Sequence, residues 1–118
     1  MISEEKLPEY IGREIPELSS VCDKAHCANI YDVVGKLLDY TRDKLTEHNT
    51  HAARQCMMLT EKLYNKGNQT IKNAIENVFV FSFSHAFFHD EDKRQEIMSI
   101  VPDTLYKLYR DQLINSHL

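Results

Sequence analysis

At 118 residues the chain is sized for one domain with a single core, and its 42% hydrophobic and 27% charged residues are those of an ordinary globular protein. Three glycines and three prolines leave too few turn formers for a sandwich or barrel, which favours helices before any periodicity is read. A formal charge of −4 gives no electrostatic reason to expect nucleic acid or an anionic membrane surface as a partner.

Ser3 is placed to cap a first helix, with Glu4 and Glu5 favourable to its dipole and Leu7, Tyr10, Ile11 and Ile15 as its apolar side. Pro16 ends that helix. It also suits the first turn of a short second helix running to about Cys27, with Leu18, Val21, Cys22, Ala25 and Cys27 as its apolar residues.

From Asn29 to about His48 the residues Ile30, Val33, Val34, Leu37, Leu38 and Leu45 follow the spacing of an amphipathic helix, which turns Asp32, Lys36, Asp39, Arg42 and Asp43 outward. Gly35 within it costs about 1 kcal/mol against alanine or marks a close helix approach. His48-Asn49-Thr50 is the break, and Asn49 or Thr50 caps the next helix. That helix, Thr50 to Lys66, carries Ala53, Cys56, Met57, Thr60, Leu63 and Tyr64 on one stripe, with Leu59 and Ala52 beside it. Gly67 stands in the position of a left-handed stop, and the short connection to Asn68 predicts an αα-hairpin.

Asn68 to Phe88 is the most apolar and aromatic run of the chain. Phe79, Phe81 and Phe83 alternate with smaller residues as in a strand, but the length of the run favours a helix. Projected at the α-helical pitch, Ile71, Ala74, Ile75, Val78, Ser82 and Ala86 form one face; Phe79, Phe83 and Phe87 flank it on one side, Phe81 and Phe88 on the other. Asn73, Asn77 and Ser84 form the remaining polar seam. A helix apolar on nearly every side belongs at the centre of a bundle.

Asp90, Glu91 and Asp92 begin the next helix, whose buried end is Ile97, Met98, Ile100 and Val101. Pro102 and Asp103 open the last, with Leu105, Leu108, Tyr109 and Leu113 as its stripe and an end near Asn115. No low-complexity linker divides the chain, so residues 1–118 are expected to form one all-α bundle of five to six helices around the helix of residues 68–88.

Ala53, Cys56, Leu59, Glu61 and Leu63, then Gly67-Asn68, then Ile71, Asn73, Ala74, Ile75 and Val78, with the tail Val101-Pro102-Asp103, Leu105 and Tyr109, make a pattern over the second half of the chain. The pattern resembles that of a family of small, functionally uncharacterised bacterial all-α proteins. Its positions are those of helix packing, not of chemistry. The resemblance implies an all-α fold and a role as the companion of a toxin or contact-dependent competition system, that is, an immunity-type binding protein.

Candidate chemistry is sparse. His85 and His89 share a helix face at a metal-chelating spacing, with Asp90 and Asp92 nearby, yet Ala86 stands where the H-E-x-x-H motif has glutamate, and hydrogen-bonded histidines ending a core helix are the plainer reading. Cys22, His26 and Cys27 need a fourth zinc ligand that Cys56 or His51 would supply only through tertiary contact; buried small hydrophobes are the plainer reading for these thiols. A catalytic thiol wants a partner histidine and a local positive field, and Cys22 and Cys27 have acidic and neutral company as well as Lys24, which makes a weak case. Arg42 and His48 loosely match the spacing of some all-helical RNases, but Arg110 and His117 match it as well, and the acidic charge opposes an RNA substrate.

Three cysteines are an odd number, and the opening MISEEK lacks a secretory start, so reduced thiols in the cytoplasm are expected. No apolar run is long enough to span a bilayer. The function expected from these features is a non-enzymatic, cytoplasmic protein-binding module, an immunity-type or regulatory partner, with no cofactor. Phe81, Phe83, Phe87 and Phe88 are its candidate contacts with a partner or with a second copy. The alternatives are a metal protein or enzyme using His85 and His89, and an RNase using Arg42 and His48.

Overall fold

The computed structural model describes residues 2–20, 29–83 and 91–116, and the fold is all-α. In chain order the helices are α1 (Leu7–Glu14), α2 (Ile30–Thr46), α3 (Thr50–Lys66), α4 (Gln69–Ala74, continued by a π-helical turn Ile75–Val80), α5 (Glu91–Ile100) and α6 (Asp103–Ser116), with 3-10 turns at Glu4–Lys6 and Pro16–Leu18. No described helix is long and apolar enough to cross a membrane. The radius of gyration of 13.6 Å matches the ~13.5 Å expected of one compact body of this length.

The start of the chain differs from the sequence expectation. Ser3 makes no side-chain cap; a 3-10 turn precedes α1, and Pro8 falls in its first turn, where its missing N–H forfeits no helical bond. Leu7, Ile11 and Ile15 are buried as expected. Pro16 opens a 3-10 turn ending at Leu18, and the rest of the expected short helix, to Cys27, lies outside the described residues.

α2 is capped by Asn29, whose Oδ1 accepts the N–H groups of Tyr31 at 2.9 Å and Asp32 at 3.1 Å. Ile30, Val33, Val34, Leu37 and Leu38 of its apolar stripe are buried, Leu45 is half-buried, and Asp32, Lys36, Asp39, Arg42 and Asp43 face solvent, as amphipathic spacing requires. Gly35 has no atom within 4 Å of where a Cβ would stand, so it marks no close approach. The helix ends in a Schellman turn. His48 takes the left-handed position (φ 59°), its N–H donates to the Leu45 carbonyl at 3.0 Å, and Asn49 N–H donates to the Lys44 carbonyl at 2.8 Å.

Asn49 then caps α3 by accepting the Ala52 N–H at 3.2 Å. α3 buries Ala53, Cys56, Met57, Leu59, Thr60 and Leu63. Two threonines are wholly buried, Thr41 on α2 and Thr60 on α3, and each returns its hydroxyl proton to the carbonyl four residues back at 2.7 Å. That local bond is what lets a hydroxyl sit in an apolar core.

Gly67 is not left-handed. Its φ of −78° and ψ of 160° are extended, and it is bracketed by Ile2, whose N–H donates to the Lys66 carbonyl at 2.7 Å and whose carbonyl accepts the Asn68 N–H at 3.2 Å. Glycine is needed there for room. A Cβ would lie 2.6 Å from both the Leu63 carbonyl oxygen and Ile71 Cγ2. Asn68 caps α4 by accepting the Ile71 N–H at 3.0 Å.

The helix from Gln69 departs from the α-helical projection at Ile75. An unbroken α-helix advances about 100° per residue, which puts Val78 and Ser82 within about 20° of Ile71 and Val80 about 180° away. The observed burial is otherwise: Phe79, Val80 and Phe83 join Ile71, Ala74 and Ile75 in the core, Val78 and Ser82 are half-buried, and Phe81 is 63% exposed. The wider π turn advances only about 80° per residue, which over six residues brings Phe79, Val80 and Phe83 round to the Ile71 side and turns Phe81 away from it.

α3 packs on α2, α4, α5 and α6, while the α4 helix and its π turn pack on α2, α3 and α6. The helix after Asn68 is thus central but not enclosed, because Phe81 stands on its open side. α5 contributes Ile97 and Ile100 to the core, whereas Met98, expected to be buried, is exposed. α6 contributes Leu105 and Tyr109.

Candidate functional site

The outward face of α3 carries Arg54, Gln55, Met58, Glu61 and Lys62, the polar stripe left when the helix turns Ala53, Met57, Thr60 and Leu63 to the core. Met58 is the apolar exception on that stripe, 60% exposed. It stands between two open concavities and lines both.

The first, about 550 Å³, lies where α3 meets the junction of α5 and α6. Ile100 and Val101 supply its apolar part, and Arg54 and Glu61 flank it from α3. Both charged groups are tied to backbone: Arg54 Nη2 donates to the Ser99 carbonyl at 3.2 Å, and Glu61 Oε2 accepts the Thr104 N–H at 3.0 Å. The second, about 420 Å³, lies where α3 meets the end of α1. Its floor is Ile15 and Leu59, both buried, and its rim is Glu14, Gln55 and Lys62.

Lys62 Nζ is 3.8 Å from Glu14 Oε1 and 5.5 Å from the centroid of the Tyr10 ring. Hydrogen bonding to the Tyr10 side chain, then the negative charge that Tyr10 takes on at alkaline pH and that of Glu14, raises the lysine pKa above its ordinary value. The arrangement is an apolar centre with a mixed-charge rim. It suits contact with a protein surface more than enclosure of a small molecule, because both concavities are open on one side.

Of the residues named from sequence, Phe81 is exposed on the open side of the helix, and Phe83 is buried with its ring centroid 5.0 Å from that of Phe79. Phe83 therefore belongs to the core in this arrangement and presents no contact surface. Phe87, Phe88, His85 and His89 lie outside the described residues, as do Cys22, His26, Cys27 and His117. Arg42 faces solvent from α2, and His48 stands beyond that helix with Nδ1 3.7 Å from Glu96 Oε1 of α5; neither lines the two concavities.

Cys56 is wholly buried, and burial pushes its thiol pKa up, the opposite of what a nucleophilic cysteine needs. Among the described residues no three His, Cys, Asp or Glu side chains are gathered as a metal site requires. Met58 was not among the residues singled out from sequence. Its signal was an apolar side chain between Arg54, Gln55, Glu61 and Lys62 on the polar stripe.

A family model described as a domain of unknown function, DUF7674, matches residues 8–115. Comparison with curated proteins and with solved structures gives no match.

Proposed function

We propose that this chain, which belongs to the DUF7674 family of unknown function, is a non-enzymatic protein-binding module that receives a partner segment across the α3 face around Met58. The observation that carries the reading is Met58 itself, a flexible apolar side chain 60% exposed on a charged stripe, between two concavities with apolar floors and polar rims. A methionine so placed adapts to the side chains of a partner, and a polar rim around an apolar centre is the anatomy of a protein interface.

The resemblance to small, functionally uncharacterised bacterial all-α proteins, which implies an immunity-type role, together with the net charge of −4, supports a toxin-neutralising or regulatory companion of a more basic protein. Charge complementarity of that kind speeds encounter, while the apolar centre supplies the affinity.

Co-expression of the full chain with the products of adjacent genes tests the reading. A partner that co-purifies with the wild type is expected to bind Met58→Arg at least tenfold more weakly, while the variant's thermal stability stays close to wild type because the side chain stands in solvent. Absence of any co-purifying product, or full retention by Met58→Arg, defeats the proposal.

A further inference from the structure

We propose that the helix from Gln69 is a two-register element: a side chain of α6, Gln112, holds it in the π register that presents Phe81, and its release lets the helix rewind into an unbroken α-helix that turns Phe81 inward and Val80 outward.

The latch is visible in the bonding of one carbonyl. Glu76 O accepts the Phe81 N–H five residues on, the bond that defines the π turn, and it also accepts Gln112 Nε2 at 2.8 Å. The second bond crosses 36 positions of sequence. Gln112 belongs to α6, so its bond fixes the Glu76 carbonyl where the π turn places it, and rewinding the helix would rotate that carbonyl by roughly 40° relative to α6.

The alternative register is available because the sequence opposes it only beyond Phe81. Val78, Phe79, Val80 and Phe81 are apolar at four successive positions, so either register offers the core an apolar face; the α register also brings Ser82 to within about 20° of Ile71 and turns Phe83 to about 120° from it, which makes it the minor form. In the π register that face is Phe79, Val80 and Phe83. In the α register Val78 moves to within about 20° of Ile71, Phe81 swings from about 170° to about 80° away from it, and Val80 passes to the solvent side. The segment Gln69–Ala74, capped by Asn68, is common to both. Two packings that each bury an apolar face are the condition for a bistable element, and any contact that engages Phe81 selects the π register. The inference concerns the register of this helix and stands apart from docking at Met58.

The test uses the full chain labelled with para-fluorophenylalanine. The fluorine signal of residue 81 is assigned by its loss in Phe81→Leu, and its exposure is read from broadening by a soluble paramagnetic agent. Wild type is expected to show a predominantly exposed signal, with saturation transfer to a minor, protected one. Gln112→Leu, which cannot donate, is expected to raise the protected population at least fivefold. Val80→Thr, which eases the exit of residue 80 to solvent, is expected to shift it the same way. If Gln112→Leu does not fold, Val80→Thr and the wild-type saturation transfer decide. A single Phe81 signal, equally exposed in wild type and in every folded variant, overturns the proposal.

Discussion

The Glu61 carboxylate of α3 accepts the backbone N–H of Thr104 at 3.0 Å, so the first turn of α6 is capped by a side chain 43 positions upstream. Pro102 at that boundary has no hydroxyl or amide to serve as a cap, and the carboxylate also meets the positive end of the helix dipole. Glu61→Ala is expected to destabilise the protein by about 1 kcal/mol and to speed hydrogen exchange at the Thr104 amide. Glu61→Gln keeps an acceptor oxygen and should lose less than half of that. Urea denaturation with residue-resolved exchange checks both.

Gly35 and Gly67 should respond in opposite directions. Gly35 sits mid-helix in open space, so Gly35→Ala is expected to stabilise by about 1 kcal/mol through helix propensity. Gly67→Ala forces a Cβ to within 2.6 Å of the Leu63 carbonyl oxygen and of Ile71 Cγ2 and is expected to destabilise by about 1–3 kcal/mol. Equilibrium denaturation midpoints at unchanged m-value would establish the signs; two shifts of the same sign would contradict the packing described.

Tyr109 is buried, and its hydroxyl has no hydrogen-bond partner among the described residues. Burial holds its pKa well above the ordinary 10.0. A group raised in this way contributes stability that is fully present below its unfolded pKa and is lost as pH rises through the folded one. Tyr109→Phe should therefore leave stability near pH 7 unchanged or raise it by about 1 kcal/mol, by removing an unsatisfied hydroxyl. It should also make the decline above about pH 10 shallower. Urea midpoints compared at neutral and alkaline pH give the answer, and a loss at neutral pH would show that the hydroxyl has a partner.

The π turn accommodates about one residue more than an α-helix of the same span, and Asn77 is an exposed member of it. Deleting Asn77 is expected to let Ile75 to Phe83 close into α-helix with Phe79, Val80 and Phe83 still on the core side, leaving Tm within a few degrees of wild type. Deleting Lys36 from the middle of α2 would instead rotate Leu37, Leu38 and Thr41 by about 100° and should abolish cooperative unfolding. Circular dichroism melts of the two deletions make the comparison.

Most of the helical framework was legible in the amino-acid sequence. The buried stripe of α2, the bounds of α3, and Asn49 as a cap all depend on residues within four positions of one another, so spacing suffices to read them. The first helix was less legible. Ser3 has the right chemistry for a cap, but the chain makes a 3-10 turn before α1 begins.

What lies across from a residue could not be read from its neighbours. Gly67 looked like a left-handed stop, and only the approach of Ile71 and the Leu63 carbonyl shows that its small size is what matters. Met58 became a candidate contact only when α1 on one side and the α5–α6 junction on the other framed it with concavities.

By itself, then, the sequence determined the helices and the asparagine caps of α2, α3 and α4, because those follow from local hydrogen bonding and the 3.6-residue period. Tertiary structure decided the register beyond Ile75 and with it the opposite fates of Phe81 and Phe83. Where every successive side chain is apolar, periodicity has no contrast to read, and the choice passes to the neighbours, here the core facing Phe79 and Val80 and the Gln112 amide on the Glu76 carbonyl.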